Sequence, residues 1–158
     1  MQLLILRHGE AEYSATGDAS RKLTEIGHEK NLSTARQCRD RNPGITHAYH
    51  SPYLRAEETA TDLISVFPDL KFETCNLLTP ESKTGDLLGW LEQFCSDGAS
   101  WSVLLVGHNP LLSNLVNLLL DEGEAGMRSL DTSDLVCLNL SWPERGCGEL
   151  NYWLHART

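Results

Sequence analysis

Residues 1–10 read MQLLILRHGE and residues 102–110 read SVLLVGHNP. Both stretches are short apolar runs with no polar alternation, and both run straight into a histidine with a glycine beside it. An unbroken run of four to six apolar residues suits a strand buried on both faces, the kind found in a parallel sheet covered by helices. Two such strands predict an α/β fold. They also predict that Arg7, His8 and His108 stand at the same end of that sheet.

The segments between them agree. Residues 24–39 read as a helix, with Thr24 as its N-cap and Ile26, Leu32 and Ala35 spaced along one side. ITHAYHS (45–51) reads as a strand, 53–66 as a helix, 70–75 as a weaker strand, and 85–95 as a helix carrying Leu87, Leu88, Leu91 and Phe94. After 102–107, Asn109-Pro110 marks the entry to a helix with Leu111, Leu112, Leu115, Val116, Leu118, Leu119 and Leu120. Pro is tolerated in such a first turn, and a face that broad is mostly buried. LVCLNL (135–140) and ELNYWLH (149–155) alternate and are joined by the turn-rich WPERGCG, so they predict a C-terminal hairpin. The expected architecture is three-layered: a mostly parallel central sheet with helices on both faces.

Composition bounds the function. The 158 residues suit one domain spanning 1–158. A net charge of −9 argues against an extended nucleic-acid footprint or an anionic-membrane surface. The five cysteines (Cys38, Cys75, Cys95, Cys137, Cys147) are odd in number and scattered, with no CxxC pair, and read as reduced thiols. The apolar stretch after Met1 is too short and lacks the basic start of a signal peptide. A cytoplasmic protein is expected.

Ligands of open α/β sheets collect beyond the carboxyl ends of the strands. Three polar constellations fall there: Arg7-His8-Gly9, SPYLRAEET (51–59) with Arg55, and Gly107-His108-Asn109-Pro110. Taken singly, each histidine reads as a hydrogen-bonded structural residue and each arginine as a surface ion pair. Together they read differently. Two arginines and two histidines gathered without a carboxylate cluster are costly to bury unless an anion completes the site.

L-R-H-G at the first strand end, S-P-x-x-R-A-x-x-T in the middle and G-H-N-P late resemble the histidine phosphatase superfamily, whose fold is phosphoglycerate mutase-like. R-x-L-T-x-x-G (21–27) also resembles the family's segment before its first long helix. The short chain, with no insert before the late strand, is similar to the SixA-type phosphohistidine phosphatases. The resemblance implies a metal-independent phosphatase with no cofactor. His8 would be the nucleophile that forms a transient phosphohistidine. One of its ring nitrogens would be unprotonated, while the other donates to a backbone carbonyl. Arg7 and Arg55 would clamp the phosphoryl oxygens in fork geometry. His108 would be held protonated by the phosphate and stabilise the transferring group. Gly9 would let the backbone approach the phosphate.

Two departures from the family pattern matter. Larger relatives carry Asn where this chain has Ser14, a smaller hydroxyl on the substrate side. They also carry a carboxylic general acid, for which Glu81 in LLTPES is the one obvious nearby candidate. An alkoxide leaving group needs a proton in the transition state, whereas a phosphohistidine imidazole leaves with a pKa close to neutral. The missing strong acid therefore favours P–N substrates, in a partner protein bearing phosphohistidine. The alternatives are a small-molecule phosphomonoesterase with Glu81 as acid, and a non-catalytic module that binds phosphate or another oxyanion. A monomer is expected. His47 and His50 form an HxxH spacing, but on a strand they point to opposite faces, so no shared metal is expected.

Overall fold

The computed structural model describes residues 1–157. Six strands form one sheet: β1 (Gln2–Arg7), β2 (His47–His50), β3 (Phe72–Thr74), β4 (Ser102–Gly107), β5 (Leu135–Leu140) and β6 (Gly148–Leu154). Four helices flank it: α1 (Glu25–Arg39), α2 (Leu54–Val66), α3 (Thr84–Leu91) and α4 (Leu111–Leu120). The strand order is β3-β2-β4-β1-β5-β6. β1, β2, β3 and β4 pair in parallel, while β5 runs antiparallel to β1 and β6 antiparallel to β5. The chain is thus α/β with a mixed, mostly parallel sheet and a C-terminal hairpin, as its sequence predicts.

The two apolar runs occupy the centre of the sheet, and alternation along them divides the core. Leu3 and Ile5 of β1, with Val103 and Leu105 of β4, pack against Leu87 and Leu91 of α3 and Leu112 and Leu115 of α4. Leu4 and Leu6, with Leu104 and Val106, pack on the other face against Ala35 and Cys38 of α1 and Ala56 and Leu63 of α2. A strand buried on both faces needs apolar residues at every position, which is why LLIL and VLLV show no alternation. Each Leu-sized side chain taken out of water contributes about 1.5–3 kcal/mol.

Local signals set the element ends. The Thr24 side chain accepts from the Gly27 amide, the N-cap expected of it. Several boundaries differ from the sequence expectation, the strands expected over 45–51 and 70–75 being shorter, His47–His50 and Phe72–Thr74. The helix expected over 85–95 stops at Leu91 and tightens into a separate turn, Glu92–Phe94, that closes through the Cys95 amide on the Glu92 carbonyl. Tyr53 and Pro110 are not helical residues but stand just before α2 and α4. At α4 the capping is done by Asn109, whose Oδ1 accepts from Ser113 Oγ at 2.7 Å and from the Ser113 amide at 3.3 Å.

Cys38, Cys75 and Cys137 are buried, Cys95 and Cys147 partly so, and all five are free thiols. His47 packs on Trp101 and Phe94, His50 on Phe72. Those partners belong to the two opposite core faces, so the two imidazoles share no site. Among the described residues, no helix is long and apolar enough to cross a membrane.

Candidate active site

Strand register brings the polar residues together. In the parallel β1–β4 ladder Arg7 pairs with Gly107, so the next residue of each strand, His8 and His108, emerges side by side. Their ring centroids lie 4.9 Å apart. On the other side of β4, His50 pairs with Val106, and the Ser51 amide donates to the Val106 carbonyl. That places Ser51 Oγ 2.7 Å from His108 Nε2. α2 starts immediately afterwards and delivers Arg55 from its first turn. His8, Arg55 and His108 are 7%, 4% and 1% exposed, values that such polar residues reach only where partners or a ligand compensate.

The tautomer of His8 follows from its neighbours. Nδ1 lies 2.7 Å from the Gly9 carbonyl, which can only accept, so Nδ1 carries the proton. Nε2 faces Arg55 Nε at 3.2 Å, and a guanidinium N–H can only donate. Both contacts leave the lone pair on Nε2. Burial, opposed by the Gly9 hydrogen bond and reinforced by Arg55 and Arg7, lowers the His8 pKa to about 4. At neutral pH His8 is an uncharged imidazole with one basic nitrogen.

His108 is also neutral in the free protein: burial first, then His8 and Arg55, lower its pKa to about 2. The protonated His108 that the resemblance implies therefore requires the arrival of an anion. Ser51 Oγ accepts from the Tyr53 amide at 3.2 Å, which frees its own proton for His108 Nε2. His108 Nδ1 is buried without a partner, and so is Arg7 Nε. Two unsatisfied nitrogens from two of the singled-out residues fit a site that an oxyanion completes.

The two arginines are held differently. Arg7 Nη1 donates to the Leu130 carbonyl at 2.8 Å, on the turn before β5. Burial lowers the Arg7 pKa, and the nearby Asp131 and Asp134 oppose that shift. Arg55 Nη1 donates to the Asp18 carbonyl at 2.7 Å, and Nη2 pairs with Asp18 Oδ2 at 3.1 Å. Partial burial works against ionisation of Asp18. The hydrogen bonds from Arg21 and Arg55 outweigh it and hold the carboxyl below its usual range.

Asp18 and Ser51 were not singled out from the sequence. Ser51 had a signal, since it heads the S-P-x-x-R motif. Asp18 had none: it lies in a polar loop and reaches Arg55 only through tertiary structure.

The remaining predicted residues sit further out. Ser14 Oγ is engaged with Thr16 Oγ1 at 2.9 Å and Ser20 Oγ at 3.1 Å, and its hydrogen bonds go to none of the four central residues. Glu81 accepts a hydrogen bond from the Tyr53 hydroxyl. That bond is the chief reason its carboxyl sits below the usual range, so it is ionised at neutral pH. Tyr53 also packs edge-on to His108, with centroids 5.1 Å apart. Packing gives Gly9 a reason of its own beside the expected phosphate approach: a Cβ there would lie 2.8 Å from Asn31 Nδ2 and 2.9 Å from the Gly27 carbonyl. The constraint comes from behind the loop, where α1 packs against it.

A cleft of about 460 Å³ opens at the other end of the sheet, among Arg39, Pro43, Ile45, Phe67 and Lys71. Its lining holds cations but no buried nucleophile. The singled-out histidines and arginines gather instead at the carboxyl-end rim, where only residues 75–83 connect β3 to α3.

Known proteins share this sequence pattern and fold. Residues 3–79 match the model of the histidine phosphatase superfamily (branch 1). The phosphohistidine phosphatase SixA homolog of Haemophilus influenzae is 31% identical over 124 residues, covering 73% of this chain and 75% of its own. Phosphohistidine phosphatase SixA of Escherichia coli is 32% identical over 117 residues, covering 73% and 72%. The solved structure of the protein histidine phosphatase SixA complexed with tungstate superposes with a TM-score of 0.85 at 29% identity, over 98% of this chain and 97% of that one. A mycobacterial glucosyl-3-phosphoglycerate phosphatase, with a TM-score of 0.73 at 17% identity, shares the fold alone. With the nucleophile candidate, its flanking cations and the strand register that joins them all in place, the chain belongs to branch 1 of the histidine phosphatase superfamily and is similar to the SixA phosphohistidine phosphatases.

Proposed function

We propose that the protein is a phosphohistidine phosphatase that removes the phosphoryl group from a histidine of a partner protein, through a phosphohistidine formed on its own His8. The observation that carries this reading is the His8 ring: Nδ1 is committed to the Gly9 carbonyl and Nε2 is left basic against Arg55. Nε2 attacks phosphorus, the P–N bond of the substrate breaks in line, and the substrate ring, protonated on its other nitrogen, leaves as neutral imidazole with the electron pair of that bond. Water then attacks the phosphoenzyme and releases inorganic phosphate, restoring His8. Arg7, Arg55 and His108 hold the charge of the transferring phosphoryl, and His108 is protonated once that dianion faces it.

The leaving group separates the two enzymatic readings. A phosphomonoesterase needs an acid whose pKa is raised toward neutrality, whereas Glu81 is exposed and its pKa is lowered. An imidazole leaving group makes no such demand. The short connection from β3 to α3, with no long insert between them, supports a substrate carried on a protein. The cytoplasm, where protein phosphohistidine arises, is the compartment proposed.

The test uses the purified protein with a phosphohistidine peptide, a phosphoserine peptide and a sugar phosphate in parallel. Faster release from the phosphohistidine peptide is expected. Faster release from either ester contradicts this reading, and binding of phosphate without turnover of any substrate supports the non-catalytic module instead.

A further inference from the structure

Behind the nucleophile lies a buried polar cluster that the chemistry above does not use. Asn31 of α1 and Thr59 of α2 are both fully buried, as is Ser133 on the turn before β5. Thr59 Oγ1 donates to the Arg55 carbonyl at 2.7 Å and accepts from the Gly9 amide at 3.1 Å. One hydroxyl thus ties the loop that carries the nucleophile to the helix turn that carries the clamp. Asn31 Nδ2 donates to that same hydroxyl at 3.2 Å and to Asp62 Oδ2 at 2.9 Å, and its Oδ1 accepts from Ser133 Oγ at 2.7 Å.

Ser133 closes the frame on the third side. Its amide donates to the Arg7 carbonyl at 3.1 Å and the His8 carbonyl at 3.2 Å. Thr34 Oγ1 holds the Ser133 carbonyl at 2.7 Å. Ser133 sits in the left-handed region at φ 65°, a conformation that costs a non-glycine residue energy and persists where the surroundings impose it. The fit against Asn31 is tight enough to dictate Gly9.

We propose that Thr59, Asn31 and Ser133 are positioning residues: they fix the peptide on either side of His8, and with it the His8 tautomer and the distance from Nε2 to Arg55. The acceptor of the His8 Nδ1 proton is the Gly9 carbonyl, on the residue whose amide Thr59 anchors. Losing the anchor frees that residue to rotate and lets the ring exchange tautomers. Misplacing a reacting group by about 1 Å can cost on the order of 10² in rate. This proposal rests on the nucleophile role of His8, and its test separates the two.

Thr59→Val keeps the shape and removes the hydroxyl. We expect kcat on a phosphohistidine peptide to fall about 10–100-fold with KM within about threefold, and Thr59→Ser to recover most of the loss. Ser133→Gly removes the bond to Asn31 while relieving the left-handed residue. It is expected to remain folded, because relief of the left-handed residue offsets part of the lost hydrogen bond, yet to turn over several-fold more slowly.

Ring-nitrogen NMR of His8 needs no substrate. It should show the Nδ1–H form in the parent and a mixture of tautomers in Thr59→Val and Ser133→Gly. Parental kcat together with unchanged His8 ring signals in the folded variants overturns the proposal. If Thr59→Val does not fold, Ser133→Gly decides alone by the same two readings. A parent protein that turns over no substrate removes the phosphatase reading and leaves the ring measurement as the test of positioning.

Discussion

Arg55 Nε lies 3.2 Å from His8 Nε2 while both Nη groups of the same guanidinium rest on Asp18. One residue therefore marks the nucleophile's lone pair and is itself held by a carboxylate where a phosphoryl group would bind. A fork with a fixed plane makes this possible, because its Nε and Nη protons diverge within that plane.

Arg55→Lys keeps the charge and loses that plane. The variant should fold and lose about 10²–10³ in kcat on a phosphohistidine peptide, the usual cost of removing one charge-stabilising donor. Retention of activity within threefold would show that charge alone suffices.

Asp18→Asn tests the competing carboxylate. The Asp18 backbone carbonyl still holds Nη1 in the variant, while the negative charge facing an incoming dianion is gone. Tungstate and inorganic phosphate should bind a few-fold more tightly by titration calorimetry. Weaker binding would instead mean that the carboxylate positions Arg55 for the anion.

Proton uptake is expected on anion binding, because a dianion facing His8 and His108 offsets the burial that keeps both rings neutral. Calorimetry of tungstate binding at pH 7, repeated in buffers of different ionisation enthalpy, should report a fraction of a proton or more taken up. No buffer dependence would contradict a His108 charged by its ligand.

The same two pKa values set the acid response of the fold. His8 and His108 sit near 4 and 2 when folded and near 6.5 when unfolded, so the unfolded chain binds more protons as pH falls. Their contribution to stability is present above about pH 6.5 and is lost as pH falls from there toward about 4 and lower. For His8 alone the loss is on the order of 3 kcal/mol. Denaturant melts at pH 7 and pH 5 should show this slope. In His8→Ala it should be shallower, and an unchanged slope would contradict the assignment.

Much of the site was legible because it follows strand register. LLIL and SVLLV read as central parallel strands, and the residues one step past the ends of β1 and β4, His8 and His108, stand side by side, with Arg55 brought to them by the first turn of α2. Asp18 was not legible, because its pairing with Arg55 depends on how the loop over residues 10–20 folds back. The packing reason for Gly9 was not legible for a similar cause. The short distance is to Asn31, and no local pattern announces that α1 approaches so closely. Thr59 stood within the quoted motif, but its double role needs three elements to be in contact.

Glu81→Gln bears on the leaving group. With Glu81 ionised and bound to Tyr53, turnover of the phosphohistidine peptide should stay within about threefold of the parent, since an imidazole needs little acid help. A loss of tenfold or more would restore Glu81 as the acid.

The central claim is that His8 Nε2 carries the phosphoryl group between substrate and water. Rapid quenching into base, after mixing the protein with a phosphohistidine peptide, followed by mass spectrometry of the fragment spanning residues 1–21, tests it most directly. The account predicts an acid-labile, base-stable phosphoryl group on His8 that appears before free phosphate and is absent from His8→Ala, which should not turn over. Phosphate release with no modified His8, or sustained turnover in His8→Ala, would contradict it.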